Sequence, residues 1–271
     1  MRIMLLLEEL RKIIKEELGI SDKVTELSRQ FFSEMIDKIP EAEETEKNDI
    51  MVKKEFPLTF FVDGVKVSCS VVYRNFLSKD FSRIYDTPYV TDGSSFRVSN
   101  KLFLCFINVF AVCGTLNKEK AMETIQHEIE HIFQQIRMGR SFGGDSIYVK
   151  IKTDMDSGDE NRSKVARLLY YTLKSEQEGF NNGLYAFLMD TPEPYSEDLL
   201  KKSETWGNYV FSRNTLKEIK DNQDLKLIFN EYFNNYGVTI SNIEIELNNF
   251  LHRIGRTIIK VKQDKLKQGW R

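Results

Sequence analysis

Residues 126–131 read Gln-His-Glu-Ile-Glu-His, which sets two of the chain's only three histidines four positions apart. Few patterns limit a fold more. On a helix, residues i and i+4 stand one above the other, so the imidazoles of His127 and His131 can reach one cation. Glu128 sits beside them, placed to take a proton from a water that the metal activates. This chemistry requires the segment to be an amphipathic helix.

The spacing supports that requirement. With His127 at zero and about 100° per residue, His131 falls near 40°, while Ile125, Ile129, Ile132 and Ile136 fall at about 140–200°. One face is apolar, and the other carries the histidines with Thr124, Gln134 and Gln135. Asn117 suits a cap and Gly139 a stop, which predicts a helix from about 118 to 138. The plainer alternative, a surface helix with two solvated histidines, leaves the imidazole pair unexplained.

The same residues also satisfy the inverted order His-x-x-Glu-His. Glu128 and Glu130 lie about 80° to either side of the histidine pair, so helical symmetry does not choose the base. The inverted arrangement belongs to a few specialised folds. Glu128 is therefore taken as the base, with Glu130 as a solvated carboxylate or one that supports the ligands.

A catalytic zinc site usually takes three protein ligands and leaves one position open. The remaining histidine, His252, is distant in sequence and sits in a basic helical stretch, where an ordinary surface role is expected. A downstream carboxylate fits better. From Asn161 to Met189, Leu169, Leu173, Phe180, Leu184 and Phe187 recur at helical steps and lie within about 80° of Glu176. A lone carboxylate on such a stripe would cost several kcal/mol unless paired or bound to a metal. Gly179 and Gly183 lie one and two turns further on, where they would let the two helices approach closely. Glu178 points away, toward Lys174, Asn182 and Tyr185. The competing role for Glu176 is an inter-helix salt bridge to Arg137 or Arg140.

His127-Glu128-x-x-His131 followed by Glu176 on a second helix resembles the gluzincin branch of the zincin metallopeptidases. The run Leu168-Leu169-Tyr170-Tyr171, then Glu176, then Tyr185, is similar to the second helix of small peptidases in that branch. There the ligand Glu is commonly followed three positions on by Ala and then Arg, where this chain has Gly179 and Phe180. The resemblance covers roughly residues 50–190. It implies an α+β, zincin-like fold with a small antiparallel sheet packed on the motif helix. It also implies zinc held by His127, His131 and Glu176, with Glu128 as the base for peptide-bond hydrolysis.

The rest of the chain sets the context. Its 271 residues can bury one substantial core with a helical extension or a small second domain. A formal net charge of −2 provides no global basic field, so nucleic acid is not an expected partner. Cys69, Cys105 and Cys113 lack Cys-x-x-Cys spacing and suggest small buried hydrophobes. Leu5, Leu6, Leu10, Ile13 and Ile14 predict an amphipathic helix to about Leu18, because the apolar run is too short for a signal peptide. No stretch approaches the roughly 18 apolar residues of a membrane span. Cytoplasmic residence without a membrane partner is the expectation.

A second helix is predicted over Asp22–Ile39, followed by a solvated acidic loop at 41–46. Leu58–Val62 and Val65–Tyr73 flank Asp63-Gly64, a type I′ hairpin signal, with Pro57 just before the first strand. Leu102–Val112 reads as another strand, entering the motif helix after Gly114. An edge strand of such a sheet can hold an extended peptide. Ser141–Glu160, with Gly143, Gly144 and Gly158, reads as a mobile loop between the two metal-bearing helices, either lid or connector. After Pro192 and Pro194 the pattern turns helical and basic. Ile243, Leu247, Phe250, Leu251, Ile254 and Ile258 form a stripe for the core or for a partner protein, and Lys260, Lys262, Lys265 and Lys267 suggest a solvated end. The expected organisation is N-terminal helices at 1–50, a catalytic core at 51–192 and a C-terminal helical region at 193–271.

The function expected is that of a zinc metallopeptidase acting on a peptide or protein. Tyr148, Tyr170 or an arginine is a candidate oxyanion donor. Two alternatives remain: a metal-dependent amidase acting on a non-protein amide, and a non-catalytic zinc protein that binds a partner through its C-terminal helices.

Overall fold

The computed structural model describes residues 22–36, 51–62, 65–76, 92–99, 102–112, 118–138 and 146–269. In chain order they form α1 (Asp22–Ile36), β1 (Met51–Val62), β2 (Val65–Phe76), β3 (Asp92–Ser99), β4 (Leu102–Val112) and α2 (Lys118–Met138). Then follow α3 (Ser146–Met155), α4 (Glu160–Thr172), α5 (Lys174–Asp190), α6 (Glu197–Lys201), α7 (Glu204–Asp221), α8 (Gln223–Tyr236) and α9 (Ile240–Lys267). Among the described residues the fold is α+β and mostly helical, with one small sheet. The expected helix up to Leu18, the acidic run at 41–46, the Asp63-Gly64 turn, Asn117, Gly139 and Cys113 lie outside the described residues.

The strands form one sheet in the order β1-β2-β4-β3. β1 and β2 pair antiparallel from Met51↔Phe76 to Val62↔Val65, which leaves two residues for the turn, as the hairpin signal requires. Val67 is buried and Lys66 exposed, in keeping with the alternation along β2. Two expectations are corrected. Pro57 lies inside β1, opposite Ser70, rather than ahead of the strand. β1 is an edge strand, and an edge has room for a residue without an N–H. The sheet is also mixed, because β2 and β4 run parallel. Parallel neighbours need a crossover of about a dozen residues or more, and the chain from 77 to 101 supplies it. β3, antiparallel to β4, occupies the other edge.

The sheet packs on α2 through β3 and β4, and α1 packs on α2 beside it. Val24 and Phe31 turn the apolar side of α1 inward, and Phe31 meets Phe60 of β1 edge-on at 5.1 Å between ring centroids. α2 also lies against α5, and α5 in turn lies against α9. The C-terminal helices therefore close over the second helix of the candidate site. Phe180, Leu184 and Leu188 of α5 share a hydrophobic cluster with Leu200, Tyr209, Phe250 and Ile254. A second cluster joins Ile151 of α3 and Leu168 of α4 to Leu216, Phe229, Tyr232 and Leu247.

Three helical expectations also change. Asn161–Met189 is two helices, broken at Leu173, whose backbone is extended at φ −66° and ψ 131°. Both helices have apolar faces, so periodicity alone does not reveal the joint. Residues 146–155 are helical rather than part of a loop, because Ile151 and the ion-paired Asp154 are buried within the packing of α3 on α4. The C-terminal lysines are not all solvated. Lys260 and Lys265 are buried; the first donates to Asp264, and the second to the carbonyls of Thr191 and Glu193. Among the described residues no helix is long and apolar enough to cross a membrane.

Candidate metal centre

Every residue from 121 to 135 is buried, so α2 has no solvated face around the motif. Its polar side must therefore be matched by polar partners. Gln126 donates to Thr25 of α1. Glu123 accepts from the backbone N–H groups of Glu204 and Thr205 and from the Thr205 hydroxyl, holding the first turn of α7. Two glycines on α5 make the close approach possible. A Cβ at Gly179 would fall 2.8 Å from Cε1 and Nδ1 of His127, and one at Gly183 would fall 2.7 Å from the Glu123 carbonyl oxygen. A side chain at Gly183 would have to move the backbone of α2, and one at Gly179 would have to displace the His127 ring.

That approach brings three ligand atoms together. Nε2 of His131 lies 2.9 Å from Nε2 of His127 and 3.1 Å from Oε2 of Glu176. His127 Nε2 lies 3.5 Å from the same oxygen. Three atoms bound tetrahedrally at about 2.0–2.1 Å from one ion are separated by about 3.3 Å, close to the spacing found here. The donor set suits a divalent cation, and these buried residues could hold one. Glu176 also lies in the first turn of α5, where the helix dipole favours a negative side chain.

The electrostatics agree with a site that attracts positive charge. Burial opposes ionisation of Glu176, but the two imidazoles overcome it and hold the carboxyl well below its usual range. Burial would lower His131, yet Glu176 and Glu128 raise it to about 9. Glu128, only 7 % exposed, is pushed up by burial, while both histidines and Lys152 pull in the other direction. A carboxyl displaced upward has the character of a proton acceptor working nearer neutral pH.

A further wall comes from α3 and α4. Tyr148 and Tyr170 have ring centroids 6.3 Å apart, and Lys152 Nζ stands 4.1 Å from the centroid of Tyr170. Burial, followed by the charges of Glu176 and Glu128, raises the Tyr148 phenol far above its normal value. Tyr170 is raised in the same way by burial and then by Glu176. Both phenols therefore keep their protons and remain hydrogen-bond donors. Sequence reasoning missed Lys152. Its i,i+4 relation to Tyr148 was the available signal, hidden by reading 141–160 as a loop.

The remaining candidates separate clearly. Glu130 is fully buried and paired with Arg137, not solvated. Burial raises its carboxyl to about 7 against the pull of Arg137. Arg137 is thereby committed to Glu130 rather than to Glu176. Glu178 lies away from the ligand atoms, accepting from Gln134 and facing Lys174 and Arg253 at 3.9 and 3.7 Å. His252 is exposed on α9. Comparison with known proteins finds no matching protein-family model, no similar curated protein and no similar solved structure.

Proposed function

We propose that the chain is a zinc-dependent metallopeptidase of the gluzincin type, with His127, His131 and Glu176 as ligands and Glu128 as general base. One observation carries the reading: two imidazole nitrogens and a buried carboxylate oxygen from two helices converge within 3.5 Å of one another. When bound there, zinc supplies Lewis acidity and lowers the pKa of its water toward neutrality. Glu128 takes the proton from the attacking water and delivers it to the leaving amine. The protonated phenols of Tyr148 and Tyr170 donate to the developing oxyanion. α2 lies against β3, one of the two edge strands of the small sheet, and β3 receives the extended peptide by main-chain hydrogen bonds. This arrangement supports a zincin-like core, and a cytoplasmic location accords with it.

The test combines metal analysis with turnover. Purified protein should hold about one zinc per chain, and His127→Ala or His131→Ala should abolish binding because too few ligands remain. Glu128→Gln should retain the metal and lose cleavage of a peptide-library substrate. Zinc binding without peptide turnover, but with release of ammonia or amine from cell-wall fragments, would shift the reading to a non-protein amidase.

A further inference from the structure

Gln134 occupies a position that no ligand or base role explains. It is buried on α2, one turn after His131, and each end of its amide is engaged. Its Oε1 lies 3.0 Å from His131 Nδ1. Its Nε2 donates to the Ser175 carbonyl at 3.1 Å and to Glu178 Oε2 at 3.2 Å. The two acceptors fix the amide orientation, because a flipped amide would set oxygen against oxygen twice. With Oε1 facing the imidazole, His131 Nδ1 must be the N–H donor. His131 Nε2 then faces Glu176 Oε2 and His127 Nε2, the side on which a cation would take the place of its proton.

Gln134 also ties the two helices of the site. Ser175 immediately precedes Glu176, so the hydrogen bond to its carbonyl holds the turn of α5 that bears the carboxylate. Glu178, one turn later, faces Arg253 of α9 at 3.7 Å. The other histidine is held differently. Among the described residues, His127 Nδ1 has no hydrogen-bond partner, and its ring is confined by Gly179 and by Phe180 at 4.4 Å between centroids. One imidazole is oriented by packing and the other by an amide.

We infer that Gln134 is the positioning residue of the centre, setting the His131 tautomer while clamping the Glu176 turn against α2. This inference rests on the metal-site reading above. Partners that orient ligand imidazoles typically contribute a factor of about 10–100 in metal affinity. Gln134→Leu keeps much of the volume and removes the whole amide. Gln134→Glu keeps an acceptor for His131 Nδ1–H and removes the donor.

The experiment is zinc affinity by chelator competition on the full chain, with cobalt substitution to read the ligand field and metal-free thermal melting to check folding. Gln134→Leu should bind zinc about 10–100-fold more weakly, with altered cobalt visible bands, and Gln134→Glu should bind more tightly than Gln134→Leu but short of wild type, because it keeps the acceptor for His131 and loses the clamp. If Gln134→Leu does not fold, Gln134→Glu and Gln134→Met decide the matter by the same ranking. Unchanged affinity and spectra in both Leu and Glu variants would overturn the inference while leaving the metal site intact. A wild-type chain that takes up no zinc or cobalt would overturn the metal reading as well, so the two failures are distinct.

Discussion

At the scale of single residues, Glu128 and Glu130 differ far more in surroundings than in helical position. Glu128 shares the site with both imidazoles and Lys152, whereas Glu130 is buried against Arg137. Glu128→Gln should therefore leave zinc content and melting temperature near wild type, yet cost on the order of 10²–10⁴ in rate on any substrate found. Glu130→Gln should cost much less in turnover and show its effect in stability, measured by urea unfolding. A reversed ranking would mean that the substrate approaches from the Glu130 side and would remove the gluzincin assignment. The candidate ligands were legible because the helical period is local: spacing put His127 and His131 on one helix face and Glu176 on an apolar, inward-facing stripe. Lys152 was not legible. Its place depends on α3 packing against α4, and a glycine-rich flank concealed that helix.

Among the elements, the pairing of α2 with α5 is the decisive contact, and two glycines permit it. Gly179→Ala would drive a methyl group into the His127 ring, while Gly183→Ala would meet the Glu123 backbone. Each should destabilise the fold by about 1–3 kcal/mol through overpacking. Gly179→Ala should also weaken zinc retention, because the group displaced is itself a ligand. Equal retention by Gly179→Ala and wild type in a chelator competition would show that the helices have more freedom than their packing implies. The motif helix was readable from its period and its bounds from the residues flanking it, Asn117 and Gly139, and β4 was readable as an apolar run. β3 was not: Asp92-Gly-Ser-Ser-Phe-Arg-Val-Ser is mostly polar, and its strand character comes from pairing with β4. The joint at Leu173 escaped for the opposite reason, since apolar spacing continues across it. The parallel pairing of β2 with β4 depends on the crossover, to which a local pattern is blind.

For the whole molecule, buried ionic groups connect the helical layers that surround the site. Asp154 of α3 accepts from Lys150, from the Tyr232 hydroxyl of α8 at 2.7 Å, and from Arg162 of α4 at 3.5 Å. Burial works against its charge, but these donors prevail and hold the carboxyl below its ordinary value. A lowered folded-state pKa contributes stability above the unfolded value, near pH 3.8, that is lost as pH falls through the folded value. Asp154→Asn should cost about 2 kcal/mol at pH 7, where Lys150 and Tyr232 lose a charged acceptor while Arg162 keeps Glu231, and progressively less as pH falls through the folded value. Urea unfolding across that range is the check, and an equal loss at both ends would contradict the ion-pair account. The C-terminal helices belong to the same frame, because α9 covers α5 and Lys265 reaches back to the chain after it. A charge count along the tail could not distinguish such an anchor from a solvated lysine. The central claim, that one divalent ion joins the two helices, is tested most directly by anomalous scattering at the zinc edge from crystals grown with zinc. The account predicts a single peak about 2.0–2.2 Å from His127 Nε2, His131 Nε2 and Glu176 Oε2. A peak held by other side chains, or density in which these three groups meet only one another, would contradict it.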